Sequence, residues 1–129
     1  MKKEFMLLIR NRMNHLAHLS PEENQNFLKA CQSYIGKLTQ EGKLKAAQPL
    51  IKEGVIISGT GSDWKQTPFN ESNEVQVGYY HILADSLDEA IEIAKANPEF
   101  AFTSTARIEV RPIKMMEQTT SFVYPGKNL

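Results

Sequence analysis

The feature that most constrains the fold is an amphipathic helix pattern over residues 20–41. Its start combines three favourable signals: Ser20 can cap the first backbone amides, Pro21 suits the first helical position, and two acidic residues follow. Gly42 is a typical residue just after a helix end. A helix with one apolar stripe must pack on another element. That stripe recurs in steps of four, three and four residues, at Phe27, Cys31, Tyr34 and Leu38.

Strand patterns lie on both sides of this helix, and a second helix pattern begins after Ser86 and ends at Asn97–Pro98. Gly78 predicts a bulge or a close backbone approach. The order of elements predicts an α+β fold, a ferredoxin-like βαββαβ sandwich with an antiparallel sheet. We expect one domain over residues 1–115 and a tail over 116–129. The strands are predicted at 4–9, 44–50, 54–60, 74–84 and 107–115, with loops over 11–18 and 61–73.

Composition excludes several classes of function. The chain of 129 residues has the size of one domain, and its fifteen basic and fifteen acidic residues cancel, which argues against nucleic-acid and membrane partners. The N-terminal apolar run FMLLI is shorter than the core of a secretory signal, and no stretch approaches the length that spans a bilayer. With a single cysteine, Cys31, we expect a cytoplasmic protein.

Apolar residues occupy both faces of the predicted sheet. In the last strand, Ile108 and Val110 can face the helices, which turns Arg107, Glu109 and Arg111 to the other side. Two short helices cover one face only, so we expect a second copy of the chain to cover the other, giving a homodimer. In the long strand, alternation places Val75, Val77, Tyr79, His81 and Leu83 on one face and Tyr80, Ile82 and Ala84 on the other.

Several ordered blocks resemble the YCII-related family, in particular its branch with a DGPF loop. These blocks are EFMLLIR, SPEE, EGKLKAAQPL, TPFNES, VGYYHILADSLDEAIEIAKANP and IEVRPI, covering roughly residues 4–113. The resemblance implies a ferredoxin-like fold that pairs as a dimeric α/β barrel. Most such proteins have no assigned biochemical function, and a His–Asp pair in the cleft has been suggested as catalytic in some.

The residues that the resemblance would make catalytic are replaced in this chain. Cys31 stands where the branch commonly has a histidine in the first helix, and the DGPF loop reads QTPF, with Gln66 and Thr67 in place of the acid and the glycine. Asn97 precedes Pro98 where other members have an aspartate. An amide cannot accept and return a proton as a carboxylate does. The resemblance therefore argues against an enzyme with the suggested acid–base pair.

Other reactive side chains have ordinary structural explanations. Cys31 can be a nucleophile, but its place on the apolar stripe favours a small core residue. His15 and His18 are spaced to share a metal ion, but no other ligand accompanies them in sequence, which favours polar loop residues. We therefore expect no metal and no cofactor.

His81 is the best candidate for chemistry, because it is a polar residue within the longest strand. A cluster with the charged face of the last strand can hold a carboxylate or phosphate, whereas the alternative is a structural Glu109–arginine salt bridge. Trp64 and Phe69 are loop aromatics that can recognise a ligand, close over a site or dock on a partner chain. The predicted ligand-binding residues are Tyr79, His81, Arg107, Glu109, Arg111 and Phe69.

Three functions remain open from the sequence. The first is a homodimer whose cleft binds a small anionic or aromatic molecule. The second is a cofactor-free enzyme that performs proton-transfer or lyase chemistry, with His81 as acid or base and Arg107 or Arg111 holding a carboxylate. The third is a structural or interaction module in which side chains fill the cleft.

Overall fold

The computed structural model describes residues 2–69 and 74–125 and confirms the mixed α+β architecture. A four-stranded antiparallel sheet has the order β2-β5-β1-β6, and a separate two-stranded sheet pairs β3 with β4. The strands are β1 (Lys3–Arg12), β2 (Leu44–Pro49), β3 (Ile56–Gly59), β4 (Trp64–Thr67), β5 (Glu74–Ala84) and β6 (Arg107–Pro112). The helices are α1 (Pro21–Gln40), α2 (Leu87–Lys95) and α3 (Glu99–Phe102).

The local signals at the start of α1 act as the sequence predicts. The Ser20 hydroxyl accepts a hydrogen bond from the Glu23 amide at 3.1 Å, and the Glu23 carboxylate accepts one from the Ser20 amide at 2.9 Å. After the helix, Gly42 adopts a φ of +69°, which a side chain would disfavour. The two ends of α1 are therefore fixed by residues adjacent in sequence.

Several predicted boundaries are wrong. β1 continues to Arg12, so only residues 13–18 of the predicted 11–18 loop form a turn region, and β6 ends at Pro112. The third predicted strand, 54–60, is present as β3, and it pairs with β4 in a separate hairpin. β4 lies inside the segment 61–73, so the prediction of a loop throughout that segment is wrong. Residues 70–73 of that loop and 126–129 of the tail lie outside the described residues. In the tail, Met116 and Val123 form an isolated bridge.

The core lies between the helices and one face of the sheet. β1 is its centre, because it pairs with β5 on one side and β6 on the other. None of the described helices is long and apolar enough to cross a membrane. The buried cluster joins Phe5, Leu7, Ile9, Ile82 and Ala84 of the sheet to Leu38, Ala90, Ile93 and Ala94 of the helices.

A bulge in β5 changes the predicted faces of that strand. Ile9 lies opposite Gly78 and Arg10 opposite Gln76, so Val77 has no partner in the ladder. Val77 packs against the core and does not share a face with Tyr79 and His81. The strict alternation predicted for this strand is therefore wrong at Val77. A side chain at Gly78 would meet the Gln48 carbonyl at 3.1 Å, so the predicted close approach is also present.

We expect Leu7→Ala to lower the free energy of unfolding by about 3 kcal/mol, because Leu7 is fully buried in the central strand. Leu87→Ala, at a residue that is 45% exposed, is the matched control and should cost well under about 1 kcal/mol. Urea unfolding followed by circular dichroism measures both. Equal losses would contradict the placement of the core.

Candidate functional site

The face of the sheet that points away from the helices, here called the open face, carries the predicted charged residues. Ile108 and Val110 pack towards the core, so Arg107, Glu109 and Arg111 alternate to the open face as expected. The strand register places Arg111 beside Met6, and Met6 beside His81. Two strand spacings therefore separate the histidine from the nearest predicted arginine.

His81 is instead paired with a residue that sequence reasoning missed. Its Nε2 lies 2.7 Å from Glu4 Oε1, and Lys45 Nζ lies 3.2 Å from the same oxygen. Burial alone raises the pKa of Glu4, but the hydrogen bonds and charges of His81 and Lys45 outweigh it, and the net effect is a lowered pKa. A charged residue at the start of an apolar strand gives no signal of a partner on β5, so this contact was not predictable locally.

The arginines belong to a second ionic group on the open face. Arg10 Nε lies 2.7 Å from Glu74, and Arg10 Nη1 lies 3.2 Å from Glu109. Arg107 and Arg111 contact these two carboxylates at 3.5 Å. This is the salt-bridge arrangement expected if the charges are structural. The ligand-binding roles predicted for these residues stay predictions.

The two aromatic residues predicted in the loop differ in their solvent exposure and in the residues around them. The Phe69 ring packs on Gly54, 3.1 Å from the position that a Cβ would take there. It lines a cavity of about 510 Å³ at the base of the hairpin, together with Arg10, Glu74 and Leu50. Trp64 on β4 is 67% exposed.

A second cavity of about 440 Å³, here called the helix-side cavity, lies between α1 and the sheet. Cys31 and Asn97 both line this cavity, and both stand where the resemblance would place an ionisable residue. Gln66, another replaced position, lies on the exposed strand β4. The edge-on contact of Phe27 with Phe102, at 5.3 Å between ring centroids, joins α1 to α3 at this point. Its other lining residues include Ile9, His15, Leu28, Ile35, Tyr80 and Glu99.

Asn97 presents an unpaired donor to this cavity. The residue is 5% exposed, and its Oδ1 accepts a hydrogen bond from the Glu99 amide at 2.8 Å. Its side chain lowers the pKa of Tyr34 and Tyr80 against the effect of burial, so it lies near both phenols. Even so, Nδ2 makes no hydrogen bond of normal geometry to any described residue. A buried amide of this kind costs free energy unless something binds it.

The thiol and the phenol in the cavity are neutral hydrogen-bonding groups. Burial, with a smaller effect of Glu99, raises the pKa of Cys31 to about 11. Burial also raises the pKa of Tyr80 to about 12. A thiol with so high a pKa is a poor nucleophile near neutral pH. This supports the packing interpretation of Cys31.

His15 and Glu99 form the ionisable pair of the cavity. His15 Nε2 lies 2.9 Å from Glu99 Oε1, and His15 Nδ1 lies 3.0 Å from the Arg12 carbonyl. The same Glu99 oxygen accepts a hydrogen bond from Asn11 Nδ2 at 3.1 Å. Thr105 Oγ1 donates a hydrogen bond to Asn11 Oδ1 at 2.6 Å. Sequence reasoning treated His15 as a loop residue and did not select Glu99. The sequence signal that could have selected Glu99 was an acidic residue directly after Asn97–Pro98.

We expect Glu4→Gln to lower the free energy of unfolding near neutral pH by about 1–2 kcal/mol, because Glu4 accepts two charge-assisted hydrogen bonds. The pKa of Glu4 is lower in the folded than in the unfolded chain, so this contribution is present above the ordinary value of 4.5 and is lost as the pH falls through the folded value. Urea titrations across this range should show the two proteins converging in acid. Glu92→Gln, in an exposed pair with Lys95, is the control, and a pH-independent difference would contradict the pairing.

Comparison with known proteins agrees with the fold and the sequence blocks. No curated protein matches the chain. The model of the YCII-related domain matches residues 3–117, which includes the whole main sheet, both longer helices and the helix-side cavity. The chain therefore belongs to the YCII-related family.

Proposed function

We propose that the protein is a homodimer whose helix-side cavity binds a small molecule with an apolar or aromatic body and a carboxylate or carbonyl oxygen. The observation that carries this proposal is the buried Asn97 Nδ2, which makes no hydrogen bond of normal geometry to a described residue, although the phenols of Tyr34 and Tyr80 lie near it, in a residue that lines the cavity. An acceptor on a ligand would offset the cost of this unpaired donor.

The size and lining of the cavity support a small ligand. A volume of about 440 Å³ falls within the range of small-molecule sites, which are mostly apolar with a few placed polar groups. Aliphatic and aromatic side chains line the cavity, and Tyr80 is neutral at physiological pH and can donate a hydrogen bond. The open volume supports binding over the alternative in which side chains fill the cleft.

The open face supports pairing with a second copy. Its middle is apolar, and charged pairs lie on both sides of it: His81 with Glu4 on one side, and Arg10 with Glu74 on the other. Such an arrangement is typical of an interface with an apolar centre and a polar edge. We therefore assign this face to the dimer and the ligand to the helix-side cavity. The apolar middle consists of Met6, Leu8 and Tyr79, which are partly exposed in the single chain, and Leu83 lies beyond His81, opposite Glu4.

We expect Leu8→Glu to give a monomer that keeps its secondary structure, because it places a charge in the apolar middle of the open face. Native mass spectrometry should give twice the chain mass of 14.6 kDa for the unchanged protein and the single mass for the variant. Leu87→Glu, on the first residue of α2, is the control and should remain dimeric. A monomeric unchanged protein would contradict the assignment of this face.

We expect Asn97→Asp to weaken binding of phenylpyruvate, which carries a ring, a ketone and a carboxylate, by about tenfold or more. The aspartate keeps the oxygen that accepts from the Glu99 amide but replaces the donor with an acceptor. Saturation-transfer NMR and calorimetric titration measure the affinity. Asn26→Asp, on the exposed side of α1, is the control, and unchanged affinity in Asn97→Asp would contradict the proposed binding mode.

A further inference from the structure

We propose that a polar pocket at the end of β1, here called the anion pocket, binds a phosphate group, either free or as the ester of a small molecule. The pocket is a cavity of about 450 Å³. His15 is the one residue that lines both this pocket and the helix-side cavity, so the two sites are separate and this inference does not depend on the proposed function. The lining consists of Arg12, Asn14, His15, His18 and residues 103–105.

The two walls of the anion pocket are held by the end of the same strand. In the turn after β1, the His15 amide donates to the Arg12 carbonyl at 3.0 Å, and His15 Nδ1 lies 3.0 Å from the same oxygen. The other wall follows α3, where the Thr105 hydroxyl donates to Asn11 Oδ1 at 2.6 Å and Asn11 Nδ2 donates to Thr103 Oγ1 at 3.0 Å. A ligand therefore does not have to order either wall, which removes part of the cost of binding.

Arg12 is the main positive charge of the anion pocket, and it contacts no carboxylate within residues 2–69 and 74–125. The three other arginines, in contrast, each contact a carboxylate within 3.5 Å on the open face. Among the described residues, no acidic side chain lines the pocket. A guanidinium can hold two oxygens of a phosphate group with parallel hydrogen bonds. Arg12 therefore has the chemistry of an anion-binding group and lacks the internal partner that would occupy it.

The neighbours of Arg12 supply further hydrogen-bond donors. Asn14 Oδ1 accepts a hydrogen bond from Lys52 Nζ at 2.6 Å, so the group that Asn14 offers to a ligand is its Nδ2 donor. The same bond places a second positive charge beside the pocket. The hydroxyl protons on either side of Ser104 are used inside the protein. The Ser104 hydroxyl itself makes no hydrogen bond to a described residue, so it can donate to an anion.

Two carboxylates lie near the lining residues, and each is already bonded within the protein. Glu99 Oε1 pairs with His15 Nε2 at 2.9 Å, so both ring nitrogens of His15 are used and this residue serves only as part of the wall. Hydrogen bonds of the α1 cap, with a smaller effect of the His18 charge, lower the pKa of Glu23. Neither carboxylate contacts Arg12, so the charge of its guanidinium is left for a ligand.

The arrangement of the donors favours phosphate over carboxylate. A carboxylate has two oxygens in one plane, whereas a phosphate group has three terminal oxygens and carries about 1.5 to 2 negative charges near neutral pH. The donors stand on two walls, with Arg12 and Asn14 on one and Ser104 on the other. A tetrahedral anion can accept hydrogen bonds from both walls while two of its oxygens face the guanidinium.

The test is a titration of the full isotope-labelled chain with inorganic phosphate, followed by two-dimensional NMR at low and constant ionic strength, because salt screens exposed charges. The amide signals of residues 12–18 and 103–105 should shift together and saturate. Arg12→Gln should weaken binding by about tenfold or more, because it removes a charge-assisted pair of hydrogen bonds. Shifts that do not saturate, or that Arg12→Gln leaves unchanged, would overturn the inference.

Lys29→Gln is the matched control, because it removes the same charge from an exposed position on α1. It should bind phosphate within about twofold of the unchanged protein. Arg12→Lys keeps the charge but not the fork, so its affinity should lie between those of the unchanged protein and Arg12→Gln. Equal weakening in Lys29→Gln and Arg12→Gln would mean that net charge alone attracts phosphate, and the site would be rejected.

Two further ligands identify the group and its source. Acetate at the same ionic strength should bind at least about tenfold more weakly than phosphate, and equal affinities would contradict the choice of phosphate. Phenyl phosphate carries the same group on an aromatic body. Tighter binding of phenyl phosphate than of inorganic phosphate would support an ester whose body extends past His15 towards the helix-side cavity, whereas equal or weaker binding would support free phosphate.

Discussion

The central position of β1 determines most of the structure. Because β1 pairs with a strand on each side, its ten residues present one face to the helices and one to the open side of the sheet. Leu7 and Ile9 anchor the core on the first face, and Asn11 at the end of that face holds Glu99. Glu4, on the second face, holds His81. Among the described residues, both ionic groups that involve a histidine are therefore built on this one strand.

Asn11 connects the core to the helix-side cavity. It is fully buried, and such a residue destabilises a core unless its polar atoms are bonded. Its amide nitrogen donates to Glu99 and Thr103, while its oxygen accepts from Thr105 and from the Arg12 amide. These bonds fix residues 99–105 against the end of β1. Glu99 is therefore held in the cavity because its carboxylate accepts a hydrogen bond from the buried Asn11 side chain.

The sequence was sufficient where the signals are local. The capping residues Ser20 and Glu23 determine the start of α1, and alternation places Ile108 and Val110 on the core side. Contacts between segments that are far apart in the sequence could not be predicted from local patterns. The bulge at Val77 reverses the alternation of β5, although Gly78 indicated an irregularity there. The pairing of His15 with Glu99 depends on how far β1 extends and on a short helix after α2, and neither has a strong local pattern.

The chemistry of the helix-side cavity follows from what replaces the family's ionisable residues. A histidine at Cys31 and an aspartate at Asn97 would add two ionisable groups to a cavity that already contains His15 and Glu99. Ionisable groups this close together titrate as a coupled set, so the protonation of each one depends on the charge of the others. A thiol with a pKa of about 11 and an amide remain uncharged near neutral pH. His15 and Glu99 then remain as an ionisable pair in the described cavity, while Asn97 contributes a donor that a carboxylate could not provide. The replacements therefore exchange ionisable groups for neutral hydrogen-bonding groups, which fits the proposed binding of a ligand oxygen at Asn97.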